Sequence, residues 1–86
     1  MKAVRIRNHG DISVLKWESI PKPQLDESGD DVLVRIVASS INHLDIWVRQ
    51  GISRFPLPLI LGSDGAGIVE SCGHKVSEFH PGDGVI

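Results

Sequence analysis

Eighty-six residues, 41% of them hydrophobic and 23% charged, allow one small globular domain that buries only about 60–65% of the surface its unfolded chain exposes. A net charge of −2 with no cluster of Lys and Arg argues against sequence-independent binding to nucleic acid. Cys72 is the only cysteine, so no intrachain disulfide forms and nothing points to an oxidising compartment.

The start, Lys2-Ala3-Val4-Arg5-Ile6-Arg7, alternates polar and apolar residues as a half-buried strand does and stops at Asn8-His9-Gly10-Asp11. Its charges lie inside the apolar run rather than ahead of it, which is not the layout of a signal peptide. A second strand is predicted over Val14 to Ile20, closed by Pro21 and Pro23. Gln24 to Asp31 is turn chemistry with a local acid run, and nothing there aims the carboxylates at one point.

Val32 to Ala38 is β-branched and nearly all apolar, which predicts a central strand buried on most of both faces. Asn42 then stands at a helix N-cap with Asp45 three residues on, and Gly51 where a left-handed C-terminal cap belongs. A helix of about two turns is expected between them. Ile52 to Leu61 is a Pro-rich extended loop whose longest apolar stretch, Phe55 to Leu61, is broken by Pro56 and Pro58 and is too short to cross a bilayer. Gly65 to Ser71 is predicted as a strand, and Pro81-Gly82-Asp83-Gly84 as a turn into another that begins at Val85.

Short strands, one brief helix and frequent Gly/Pro turns give a mainly β fold of barrel type. Gly62, Gly65 and Gly67 have the wrong spacing for a dinucleotide fingerprint and lead into a strand rather than a helix, so close backbone approach at a turn is the better reading. His9, His74 and His80 share no metal-ligand spacing with one another or with Cys72 and are read as surface residues. No Ser-His-Asp or Cys-His nucleophile set is present at a workable spacing.

Two segments, Ala38-Ser-Ser-Ile-Asn42-His43-Leu44-Asp45 and Leu61-Gly62-Ser63-Asp64-Gly65-Ala66-Gly67, carry a resemblance. With Val32-Leu-Val-Arg, Pro58-Leu-Ile-Leu-Gly and Gly82-Asp83, the chain over essentially all of residues 1–86 resembles the N-terminal, GroES-like catalytic domain of the medium-chain dehydrogenase/reductase superfamily. In zinc members of that family the position of Asn42 is a cysteine ligand, and the histidine ligand falls where Ser63 stands. An amide and a hydroxyl cannot replace thiolate and imidazole as tight zinc ligands. Leu44, at the position of the proton-relaying hydroxyl, cannot transfer a proton.

Asn42 and Asp45 followed by Trp47, Arg49 and Gly51 are similar to the zinc-independent quinone oxidoreductase branch. That resemblance implies hydride delivery from NADPH to a quinone or an electron-poor carbon–carbon double bond, with no zinc. It implies Asn42, Ser63 and Trp47 as active-site residues and His43 as a contact to the cofactor phosphates. Each also has a plain reading: Asn42 and Asp45 as cap residues, Trp47 as packing, His43 as a helical histidine without a role.

The expected partners are a small-molecule substrate and a nucleotide-binding domain or second subunit beyond Ile86, with neither nucleic acid nor membrane, in the cytoplasm. Residues 1–86 alone are accordingly expected to be inactive. The alternatives are a non-catalytic GroES-like binding module and a zinc-type alcohol dehydrogenase relative with degenerate ligands.

Overall fold

The computed structural model describes all residues from 1 to 86. They fall into two compact units, one of residues 1–22 with 41–63 and the other of residues 23–40 with 64–86. Each has its own three-stranded antiparallel sheet.

In the first unit, β1 (Lys2–Ile6) lies between β2 (Lys16–Ser19) and the two-residue β4 (Leu59–Ile60). Ala3 and Ile6 are its buried apolar side chains, and Ile6 is fully enclosed. The predicted second strand begins late. Asp11 caps a single 3₁₀ turn at Ile12–Val14 by accepting from the Ser13 N–H at 2.9 Å, and only then does the chain extend from Lys16. A local side-chain bond of this kind gives the backbone an alternative to the ladder.

Across the β1–β2 pair, the Glu18 carboxylate accepts from Arg5 Nε at 2.6 Å and from both terminal nitrogens of Arg7, Nη2 at 2.8 Å. The hydrogen bonds from Arg7, followed by the one from Arg5, hold the Glu18 carboxyl below the usual carboxylate range. A depressed folded-state value stabilises the fold above the ordinary carboxylate pKa of about 4, and that stabilisation disappears as pH falls through the folded value. Glu18→Gln is therefore expected to flatten the fall in stability between about pH 5 and pH 2. Urea melts across that range check it, and superimposable wild-type and variant profiles would show the triad to be without effect.

Helix α1 (His43–Gln50) follows its sequence signals closely. Asn42 Oδ1 accepts from the Leu44 N–H at 2.9 Å, Asp45 Oδ2 accepts from the Asn42 N–H at 3.0 Å, and Gly51 closes the helix in the left-handed region at φ 97°. The first two bonds satisfy orphan donors of the first turn, and the glycine takes a backbone angle that a Cβ makes costly.

In the second unit, β5 (Asp64–Cys72) is the middle strand, flanked by β3 (Val32–Ser40) and β6 (Gly84–Val85). This corrects the placement of Val32–Ala38 as a buried central strand. Within residues 1–86 it is an edge strand, with Ile36 59% and Val37 65% exposed. β-branched composition reports fitness for a pleated surface, not position within a sheet.

The β3–β5 register shifts between Leu33 and Val34 and again between Ile36 and Ala38, and Val69 of β5 is the buried apolar residue of this unit. Gly67 lies beside the second shift, where an added Cβ would meet the Arg35 carbonyl oxygen at 2.3 Å. The close approach predicted for the Gly62–Gly67 run is thus real at Gly67, between paired strands rather than at a turn. No helix in the chain is long and apolar enough to cross a membrane.

Candidate active site

The site is built in the first unit on one carboxylate. Asp45, in the first turn of α1, binds the Asn42 N–H through Oδ2 and accepts from Ser63 Oγ through Oδ1 at 3.4 Å. A residue that the sequence presents as half of a capping box thereby also holds a hydroxyl 18 positions away. Its negative charge suits the N-terminal end of the helix, where unpaired N–H groups concentrate partial positive charge.

Beside this pair lies a cleft of about 240 Å³, lined by Asp45, Ser63 and Ser53 together with apolar side chains. Leu44 and Val48 come from α1, Phe55 from the loop after the helix, and Leu59 and Leu61 from the stretch around β4. A small volume, mostly apolar walls and a few polar side chains suit a small neutral molecule carrying an oxygen.

Two of the four sequence-predicted site residues meet here. Ser63 lines the cleft directly, while Asn42 joins through its backbone N–H on the same carboxylate, its side-chain oxygen being committed to the cap. Trp47 and His43 do not line the cleft. They meet edge to face one helical turn apart, ring centroids 4.8 Å and planes 69° apart, with Trp47 45% exposed. His9 departs from its reading as a surface residue: it is half-buried, with Nδ1 at 3.1 Å from the Val48 carbonyl oxygen.

The apolar lining was not singled out from the sequence. Phe55, Leu59, Ile60 and Leu61 come from an irregular Pro-rich stretch in which only Leu59–Ile60 is strand, so no local periodicity announces them.

The donors do not fit a tightly held zinc ion. The site offers an amide, a hydroxyl and one engaged carboxylate, and nowhere in residues 1–86 do three His, Cys, Asp or Glu side chains gather. Cys72 lies in the other unit, with Sγ 3.4 Å from the Phe79 carbonyl oxygen. Nor do residues 62–67 form a phosphate-binding turn, because they run directly into strand β5.

Comparison with known proteins points to one family, among whose members both quinone oxidoreductases and alcohol dehydrogenases are similar to this chain. Residues 28–86 match the family described as the alcohol dehydrogenase GroES-like domain. Quinone oxidoreductase of Mus musculus is 42% identical over 90 residues, covering 99% of this chain and 26% of that protein. The chloroplastic NADPH-dependent alkenal/one oxidoreductase of Arabidopsis thaliana is 39% identical, covering 99% of this chain and 22% of its own length.

Among solved structures, quinone oxidoreductase of Pseudomonas syringae superposes with a TM-score of 0.87 at 33% identity, over 96% of this chain and 25% of that one. The Escherichia coli quinone oxidoreductase complexed with NADPH superposes at 0.86 with 29% identity, over 98% and 26%. The chain spans about a quarter of the length of the curated relatives it matches.

Proposed function

The chain belongs to the alcohol dehydrogenase GroES-like domain family, in the quinone oxidoreductase-like branch of the medium-chain dehydrogenase/reductase superfamily, and from that premise we propose that it is part of the catalytic domain of an NADPH-dependent, zinc-independent reductase of quinones or enones. The observation that carries this reading is the Asp45 carboxylate, which joins the Asn42 N–H and the Ser63 hydroxyl beside an apolar cleft where zinc members would present metal ligands.

NADPH, when bound, supplies the hydride. In an enone, hydride addition at the β-carbon drives the electron pair onto the carbonyl oxygen, and a proton from water completes the product at the α-carbon. The work left to this chain is to hold the oxygen and stabilise its developing charge. Ser63 Oγ is the donor for that task, since its 3.4 Å bond to Asp45 is long and easily exchanged for one to a substrate oxygen.

Asp45 keeps the Ser63 hydroxyl at the cleft, and Asn42 keeps Asp45 turned toward it by donating its backbone N–H. Leu44, Val48, Phe55 and Leu59 exclude water and receive the hydrocarbon part of the substrate. In this reading His43 meets a cofactor phosphate, Trp47 borders the site outside the cleft lining, and the nicotinamide is carried by a nucleotide-binding domain or second subunit. The proposed setting is cytoplasmic, with no membrane or nucleic-acid partner.

The test is the reaction, run on the product of the whole reading frame to which these residues belong. NADPH consumption with 1-octen-3-one or 9,10-phenanthrenequinone is expected, undiminished in EDTA, with no stoichiometric zinc after dialysis. Ethanol oxidation that EDTA abolishes, with about one zinc per chain lost on mutating Asn42 or Ser63, would contradict it.

A further inference from the structure

We infer that Arg49, with the His9-Gly10 turn, is a positioning device for the Asp45–Ser63 pair. The inference rests on reading that pair as the polar part of the site, though its geometry is independent of any activity. Arg49 is the one buried charged residue in the chain, 9% exposed, and its Nη1 donates to the Gly10 carbonyl oxygen at 2.6 Å. The Gly10 N–H returns a bond to the Arg49 carbonyl oxygen at 3.0 Å, and His9 Nδ1 lies 3.1 Å from the Val48 carbonyl oxygen. Three contacts thus tie the last turn of α1 to the turn that follows β1. The Asp11 carboxylate, itself lowered chiefly by Ser13, is the charged group that faces Arg49 from that turn.

The two ends of the helix differ in what their bonds accomplish. At the N-terminal end the capping bonds join Asn42, Leu44 and Asp45 to one another, so they move with the helix and cannot fix where it points. At the C-terminal end the bonds reach a different element, and they set the rotation of α1 about its axis.

Asp45 stands four residues before Arg49, on the same side of a helix of only eight residues. Its carboxylate rides at about 5–6 Å from the axis, so a rotation of roughly 20° moves it by about 2 Å. The Ser63 bond, at 3.4 Å, has no margin for such a shift. Arg49 touches neither the cleft nor the reacting atoms, and acts through the orientation of the helix.

The experiment uses the product of the whole reading frame to which these residues belong, selectively labelled at Ser, Asp and Asn, and two NMR readouts in each variant. One is the cross-relaxation between the β-protons of Ser63 and Asp45, which reports their distance. The other is hydrogen-exchange protection of the Asn42 amide, which reports an intact cap. Arg49→Met is expected to weaken the first by roughly fourfold, the inverse-sixth-power effect of about 1 Å of displacement, and to leave the second within about twofold.

Arg49→Lys, which can restore one bond to Gly10, is expected to recover at least half of the loss. His9→Ala removes one tie without stranding a buried charge, so it is expected to weaken the first readout by less while remaining folded. Loss of both readouts together would assign Arg49 a general structural role and overturn the inference, as would an unchanged Ser63–Asp45 signal in His9→Ala and Arg49→Met. Should the clamp hold while the NADPH assay fails, the functional reading falls and the positioning stands.

Discussion

Gly67→Ala is expected to destabilise the chain by about 3 kcal/mol or more, the upper range for overpacking, because the added methyl has nowhere to go. Its Cβ would lie 2.3 Å from the Arg35 carbonyl oxygen, 2.9 Å from the Arg35 carbonyl carbon and 2.9 Å from Val34 Cγ1. Two of those three atoms are backbone of the paired strand, so relief requires β3 and β5 to part rather than one side chain to rotate. β5 is the strand on which β3 and β6 both depend, so separation there is felt across the sheet.

A chain of this length has total stability of roughly 5–12 kcal/mol, and a urea dependence of about 1 kcal/mol/M turns the loss into a midpoint lower by about 3 M. Gly62→Ala is a poor control despite its open surroundings, because Gly62 has φ 114°. Gly84→Ala, with open space and no such angle, is the proper one and is expected to shift little. A Gly67→Ala midpoint within about 0.5 M of wild type would refute the close approach.

The second large effect is expected from Asp45. Asp45→Ala removes the reciprocal half of the capping box and frees the Ser63 hydroxyl in one change. Loss of a cap bond costs about 1 kcal/mol, within the range of about 0.5–2 kcal/mol measured for helix caps. The functional loss should be larger than the stability loss explains. If Asp45 pre-positions Ser63 Oγ so that its single hydroxyl proton can turn from the carboxylate to a developing oxyanion, loss of Asp45 should lower kcat by roughly 10²-fold, the scale for removing one such donor, with KM changing far less.

Asp45→Asn keeps an oxygen acceptor for the Ser63 hydroxyl and is expected to fall between wild type and Asp45→Ala in both respects. Equal losses in kcat and thermal stability across the two variants would reduce Asp45 to its capping role.

What the sequence made legible was local. Asn42, Asp45 and Gly51 announce helix α1 because a capping box and a left-handed C-cap depend only on neighbours within one turn. The strand at β5 was legible from its composition. The edge position of β3 was not, because strand order is decided by pairing partners far apart in the chain.

The two-residue β4 escaped for a related reason. It pairs with Arg5 and Ile6 across more than 50 residues and has no periodicity of its own within a Pro-rich stretch. The 3₁₀ turn at Ile12–Val14 was masked by apolar residues that also suit a strand, while Asp11 supplied the competing bond.

At the site, Asn42 and Ser63 were visible from the resemblance as residues in ligand positions. The bond that connects them through Asp45 was not visible, since it spans 18 residues and only the fold brings its ends together.

The central claim, that Asp45 and Ser63 act as one polar unit at the cleft, is tested most directly by a double-mutant cycle in kcat/KM on the whole-frame protein. It compares Asp45→Ala, Ser63→Ala and the double variant for NADPH-dependent reduction of 1-octen-3-one. The account predicts single losses of roughly 10²-fold each and a double loss little greater than either, a coupling of about 2–3 kcal/mol. Losses that multiply, giving roughly 10⁴-fold in the double variant, would show that the two side chains act separately and would contradict it.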